Sequence, residues 1–231
     1  MLTFREFLAR LREVNELVEV NNPVSLDLEI PHILRELCYK RGPAVLFTNV
    51  KETPFKVVGN LFCSQKRLNI ALEGQDPAER IRAFLHEVSS LPSGGVKGVI
   101  KAVSELTRLS KLTPRIVSKG PVHEEDYSDL GLTKLPAIRQ WPKEPARFFT
   151  MGITFIGSEE NLNFGYYRLQ IVDDRTFIVH WMPWRRSREI AEMCQKEVDI
   201  AVVFGPDPIT MLMASVPLPP PLSKALVTSI L

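Results

Sequence analysis

The stretch NFGYYRLQIVDDRTFIVHWMPWRR, residues 163–186, decides how this chain is read, because it threads metal- and anion-binding side chains through two strand-like runs. Residues 164–172 and 176–181 are rich in aromatic and β-branched types, and Asp173-Asp174-Arg175 between them is a turn signal, so the pair predicts a hairpin. Alternation along a strand puts Tyr166, Arg168 and Gln170 on one face and Tyr167 and Leu169 on the other. Asn163 precedes the first strand and His180 lies near the end of the second, so the hairpin is expected to bring an amide oxygen and an imidazole nitrogen to the same end of a sheet. Those are ligand types for a manganese- or magnesium-type ion, which completes its shell with carboxylate, water or phosphate. Arg168 is permanently charged and binds an anion through two parallel hydrogen bonds. Arg185 and Arg186 add positive charge beside the same end. On residue types alone the plainer readings stand beside these: a turn asparagine, a structural histidine, a solvated arginine pair.

Outward from that stretch, the composition is that of an ordinary globular protein, with 231 residues, 45% hydrophobic and 24% charged, enough for one large domain or two small ones. The net charge of +2 is spread among acids rather than gathered in a stripe, which argues against nucleic acid. The N-terminus opens an amphipathic helix with an early acid rather than a signal peptide, and no apolar run reaches membrane-spanning length. Cys38, Cys63 and Cys194 are odd in number and widely spaced, which fits a reducing cytoplasm and small apolar core residues rather than a disulfide frame.

The first part reads as an α/β module. Thr3 and Glu6 form a capping box, followed by Phe7, Leu8, Leu11 and Val14 on one helical face. A second helix is expected over 28–40, with Gly42 just past its end, then buried strands over 44–50 and 55–58, and helices from Ser64 and Asp76. Residues 91–120 read as a helical insert. Within it, SGGVKG (93–98) lacks the spacing and preceding strand of a phosphate loop, and HEED (123–126) beyond it reads as an acidic turn rather than a metal cluster. From Leu135 the character changes to strands over 147–156, 164–172, 176–181 and 199–204, with a helix over 188–196. Asp207 and Pro208 then cap another helix. Successive hairpins favour an antiparallel, barrel-like sheet over a dinucleotide fold.

Several blocks in order resemble the UbiD-type decarboxylases, the 3-polyprenyl-4-hydroxybenzoate carboxy-lyases and their relatives. They are LTFREFLARLREVNELVEV at the start, GPAVLFTNV from Gly42, VVGNLF from Val57, KLPAIRQWP from Lys134, the Asn163–Arg168 segment with His180-Trp181-Met182 and Arg185-Arg186, and GPDPITMLMASVPLP from Gly205. The resemblance implies an α+β chain: an N-terminal α/β module with helical insert over 1–120, then a split β-barrel flavin-binding domain, flavin-reductase-like, over 121–231. It implies prenylated FMN with Mn2+ and K+ as cofactors, and reversible removal of carboxylate from an aromatic or α,β-unsaturated acid through a covalent adduct with the flavin. Asn163 and His180 would be metal ligands. Tyr166, Tyr167, Arg168, His180, Trp181 and Met182 would line the cofactor, Arg185 and Arg186 would sit beside its phosphate, and Arg168 would face the substrate carboxylate as the catalytic arginine.

Members of that family continue well past this length. The chain is therefore expected to be a C-terminally truncated form, its end falling inside a helix that starts near Leu222, with the family's third metal ligand, catalytic carboxylates and oligomerisation domain beyond it. The partners implied are a small carboxylic acid, a flavin prenyltransferase as cofactor supplier and further copies of the chain. The alternative is a non-catalytic flavin-binding or assembly subunit that needs a second polypeptide.

Overall fold

In the computed structural model, residues 2–76, 78–79, 82–83, 117–158, 162–194, 197–218 and 224–230 are described. The SGGVKG run at 93–98 and most of the expected helical insert lie outside them. Helix α1 (Phe4–Glu13) starts at the predicted capping box, where the Thr3 hydroxyl accepts the Glu6 N–H at 3.3 Å and the Glu6 carboxylate accepts the Thr3 N–H at 2.8 Å. Phe7 and Leu11 enter the core, while Val14, the C-cap residue, is exposed. Strand β1 (Leu17–Val20), helix α2 (Glu29–Tyr39), β2 (Ala44–Phe47) and β3 (Val57–Gly59) follow. The first two strands pair in parallel and the last two antiparallel, giving a three-stranded sheet. Helix α3 (Gln65–Ala71) is capped by the Ser64 hydroxyl. It buries Arg67, whose guanidinium is satisfied by Glu16 at 2.7 Å and the carbonyls of Gly42 and Leu61 at 3.0 and 3.2 Å. The acidic run at 123–126 is exposed and begins at the end of a 3-10 helix over Pro121–His123: Glu124 pairs with Arg5, and the Asp126 carboxylate accepts the Ser128 N–H.

In the second part, the two longest expected strands each break in the middle. Residues 147–156 give β4 (Phe148–Phe149) and β5 (Ile153–Ile156), and residues 164–172 give β6 (Asn163–Tyr166) and β7 (Leu169–Ile171). With β8 (Phe177–Val179) and β9 (Ile200–Val203), these make two antiparallel sheets, ordered β4-β7-β8 and β6-β5-β9. The predicted hairpin survives only as β7–β8, with Leu169 opposite Val179 and Ile171 opposite Phe177. Chain corners that pass from one sheet to another keep the two-residue alternation on both sides, so sequence periodicity reads them as one strand. At the first corner the backbone is tightly packed: a Cβ on Gly152 would lie 2.8 Å from Val202 Cγ1 and 3.0 Å from Phe204 Cε1. The described residues form open three-stranded sheets, none closed into the barrel that the resemblance implied.

Helices α4 (Arg186–Met193), α5 (Pro208–Ser215) and α6 (Lys224–Ile230) complete the described part. The expected cap of α5 is present, with the Asp207 carboxylate accepting the Thr210 N–H at 2.8 Å. Ile153, Phe164, Ile209, Met211, Met213 and Ala214 form one core cluster, against which Phe4, Leu61 and Phe62 of the first part pack. This clamps α5 onto β6 and fixes the walls of the site described next. No helix among the described residues is long and apolar enough to cross a membrane.

Candidate cofactor and anion site

The sheet switch at Tyr167-Arg168 separates residues that a continuous strand would have kept together. Asn163 opens β6 and is buried, its side-chain amide donating to the Ser187 hydroxyl at 2.8 Å. Tyr167 reaches the same hydroxyl from the corner at 2.7 Å. Ser187, in the first turn of α4, is fully buried, so a serine oxygen joins the asparagine and the tyrosine inside the protein. The Tyr167 ring meets Trp181 edge-on with centroids 6.2 Å apart. Trp181 Nε1 is buried without a hydrogen-bond partner among the described residues, a donor left open beside Tyr167.

Arg168 and His180 belong to the other sheet. The Arg168 guanidinium is ion-paired with Glu144 and lies 4.0 Å from the centroid of the Phe148 ring. His180 packs on the same Phe148 at 5.8 Å, and its Nε2 is 3.3 Å from Gln170 Oε1. Burial works against ionisation of Glu144. Hydrogen bonds from Arg168 and the N–H groups of Gln140 and Trp141 more than offset it, holding the carboxyl below its ordinary range. The arginine is thus positioned by a carboxylate on one side and an aromatic face on the other. The expectation that Asn163 and His180 converge at one end of one sheet is corrected: Asn163 pairs with Ser187 from β6, and His180 follows β8 in the separate sheet.

Below β6, a pocket of about 220 Å³ is lined by Gly165, Tyr166, Tyr167, Arg185, Ala214, Ser215 and Lys224. Tyr166 is anchored through its hydroxyl to the Met211 carbonyl at 3.0 Å, and burial pushes its phenol up to about 12, so it stays a neutral donor. Lys224 donates to the Ala214 carbonyl at 3.1 Å, with its ammonium 5.6 Å from the centre of the Phe164 ring. Of the residues predicted from sequence, Tyr166, Tyr167 and Arg185 meet here; Met182 is exposed, and Arg186 starts α4 without lining the pocket. Lys224, Ser187 and Glu144 escaped the sequence reading. A lysine at the start of a short helix, a serine after an arginine pair and a loop glutamate carry no local signal, since each acquires its role from a partner distant in the chain.

The pocket suits one part of the implied cofactor and not the implied metal. Two cations and the missing side chain of Gly165 suit a phosphate group. A divalent ion of the manganese class needs a cluster of oxygen or nitrogen donors, usually with a carboxylate among them. Among the described residues no three of His, Cys, Asp and Glu gather in such a group. The two proposed ligands stand in different sheets, and the pocket beside Asn163 already holds positive charge.

Comparison with known proteins bears on the fold and the family. The family model of the 3-octaprenyl-4-hydroxybenzoate carboxy-lyase Rift-related domain matches residues 115–231, and that of the N-terminal domain of the same carboxy-lyases matches residues 8–88. An uncharacterised protein of Aquifex aeolicus is 32% identical over 98% of this chain and 48% of its own length. One of Aeropyrum pernix is 31% identical over 96% of this chain and 48% of its own. Among solved structures, the UbiD-class enzyme HmfF of Pelotomaculum thermopropionicum in complex with FMN matches with a TM-score of 0.73 at 20% identity, over 100% of this chain and 48% of that one. The closed form of vanillic acid decarboxylase from Sedimentibacter hydroxybenzoicus matches with a TM-score of 0.75 at 20% identity, over 99% of this chain and 48% of that one. The chain spans about half the length of the relatives it matches. With both family models in sequence order and the fold shared along its whole length, the chain belongs to the UbiD family of carboxy-lyases.

Proposed function

We propose that this chain is the cofactor-bearing portion of a prenylated-FMN-dependent, UbiD-type decarboxylase of an aromatic or α,β-unsaturated carboxylic acid. The observation that carries the reading is the pocket under β6, where Arg185 and Lys224 converge beside Gly165 and the tyrosines in a chain of this family. A related structure, an evolved dimeric form of HmfF, is a complex with prFMN and matches with a TM-score of 0.73 at 20% identity over 99% of this chain and 50% of that one.

In this reading Arg185 and Lys224 hold the phosphate, and Tyr166 and Tyr167 border it. Trp181 and Met182 extend the cofactor wall from the β7–β8 side. Arg168 orients the substrate carboxylate by paired hydrogen bonds, and Glu144 and Phe148 keep its guanidinium from swinging away. When bound, the modified flavin supplies the electron-accepting chemistry of decarboxylation. His180 takes the role of a wall residue against Phe148 rather than a metal ligand. Manganese is left out, because no carboxylate-bearing donor set gathers beside Asn163 among the described residues; potassium stays with the cofactor as the resemblance implies.

Co-expression with a flavin prenyltransferase, followed by a visible spectrum of the purified chain and a decarboxylation assay with cinnamate- and hydroxybenzoate-type acids, tests the proposal. A flavin-type spectrum that is lost in Arg185→Met is the expected result. Recovery of the chain without flavin from a host that makes prenylated FMN would overturn it. The assay, run with and without added polypeptides from the same source, distinguishes an enzyme from a binding subunit.

A further inference from the structure

The charge balance of the pocket under β6 limits what it accepts. Lys224 and Arg185 line it, and no carboxylate does among the described residues. Among the described residues, β6 and α5, which pack most closely on α6, carry only neutral side chains, and the other described residues of α6 are uncharged. The titratable groups facing Lys224 besides Arg185 are Tyr166 and Tyr167, while Asp207 is engaged at the opposite end of α5 with the Thr210 N–H. The ammonium is held in place, donating to the Ala214 carbonyl at 3.1 Å and lying 5.6 Å from the Phe164 ring centre. Gly165 keeps the floor open, since a Cβ there would come within 3.3 Å of Tyr167 Oη and 3.5 Å of the Ala214 carbonyl.

We infer that this pocket binds a phosphate group through two cations, the Lys224 ammonium and the Arg185 guanidinium, with no divalent metal ion between protein and phosphate. The inference rests on the reading that the pocket takes the cofactor's phosphate, and goes beyond it by naming what neutralises that phosphate. A lysine on a half-buried wall beside an arginine is an unfavourable arrangement unless an anion joins it. Burial, and then the nearby Arg185, push Lys224 down from 10.5 to about 8, and the charge of a bound dianion works against both. A divalent cation in the same place would meet two like charges instead.

The test is FMN binding by fluorescence titration, in EDTA and in manganese, with riboflavin and inorganic phosphate as comparison ligands. FMN is expected to bind within about twofold of the same affinity in either condition, and riboflavin about tenfold more weakly. Inorganic phosphate should compete with FMN and not with riboflavin. Lys224→Gln, which removes a half-buried charge and is therefore compatible with folding, should weaken FMN by about tenfold and leave riboflavin unchanged, with Lys224→Arg restoring most of the loss. FMN binding that vanishes in EDTA and returns with manganese would overturn the metal-free site and leave the flavin reading standing. Equal binding of FMN and riboflavin, both indifferent to Lys224→Gln, would overturn the role of the two cations and again leave flavin binding intact. Binding of inorganic phosphate without either flavin would overturn the flavin reading and support the anion site. Absence of binding by all three ligands would overturn both.

Discussion

Replacing Ser187 by alanine separates a structural role for Asn163 from a metal-binding one. Ser187 is fully buried and its oxygen serves two partners, the Asn163 amide at 2.8 Å and the Tyr167 hydroxyl at 2.7 Å. A buried neutral hydrogen bond contributes about 1 kcal/mol, and a polar group left buried without a partner costs about 1–3 kcal/mol. Ser187→Ala strands the Asn163 amide and the Tyr167 hydroxyl together, so the expected loss is roughly 2–3 kcal/mol, or roughly 5–10 °C in Tm for a chain of this size. Tyr167→Phe keeps the ring against Trp181 and leaves Ser187 bonded to Asn163, so it should cost about 1 kcal/mol. In the Ser187→Ala background the tyrosine substitution should cost almost nothing, giving a coupling of about 1 kcal/mol. Urea unfolding followed by tryptophan fluorescence and far-UV circular dichroism, in EDTA and again in manganese, measures all four corners of the cycle. A Ser187→Ala protein within about 0.5 kcal/mol of the parent would refute the network. So would a penalty that appears only with manganese, since it would mean that Asn163 serves an ion and not Ser187.

Three further outcomes are expected. Lys224 is depressed from 10.5 to about 8, so the folded chain binds fewer protons than the unfolded one and stability rises as pH climbs between those values. Such a shift is worth about 3 kcal/mol at full strength and about 1 kcal/mol after solvent screening of a half-exposed group; Lys224→Met should gain that amount at pH 7 and flatten the alkaline profile in urea titrations. Glu144, whose carboxyl is held low, contributes stability at neutral pH that is lost as pH falls through its folded pKa, so Glu144→Gln should cost about 1–2 kcal/mol near pH 7 and remove part of the acid-side slope of the melting curve. The Cys38 and Cys63 sulfurs stand 3.3 Å apart, and burial pushes the Cys63 thiol up to about 11, so peroxide should oxidise the exposed Cys38 first to a sulfenic acid that Cys63 then displaces, releasing water. Peptide mapping should find the two cysteines joined, and the Cys63→Ser protein should stop at the sulfenic acid.

Several helix ends were legible from local chemistry. The Thr3–Glu6 box, the α2 helix ending before Gly42 and the Asp207 cap each depend on residues within a turn of one another, and each appears where the sequence puts it. The strand types were legible as well, but their partners were not. Residues 147–156 and 164–172 have the composition of single strands, and only the crossing at Gly152 and at Tyr167-Arg168 sends their halves into different sheets. That crossing parts Asn163 from His180, which were expected to share an ion.

The sequence by itself determined the family, the placing of Tyr166, Arg168 and Arg185 in one segment, and the local starts and stops of most described elements, because motifs, caps and alternation are properties of neighbouring residues. The tertiary structure decided which of those groups meet. It joined Lys224 to Arg185 and Gly165, Ser187 to Asn163 and Tyr167, and Glu144 to Arg168. These partners lie in elements packed together by the burial of Phe164, Ile209 and Met213, and burial of apolar surface is non-directional, so nothing in the local pattern specifies the pairs it brings together.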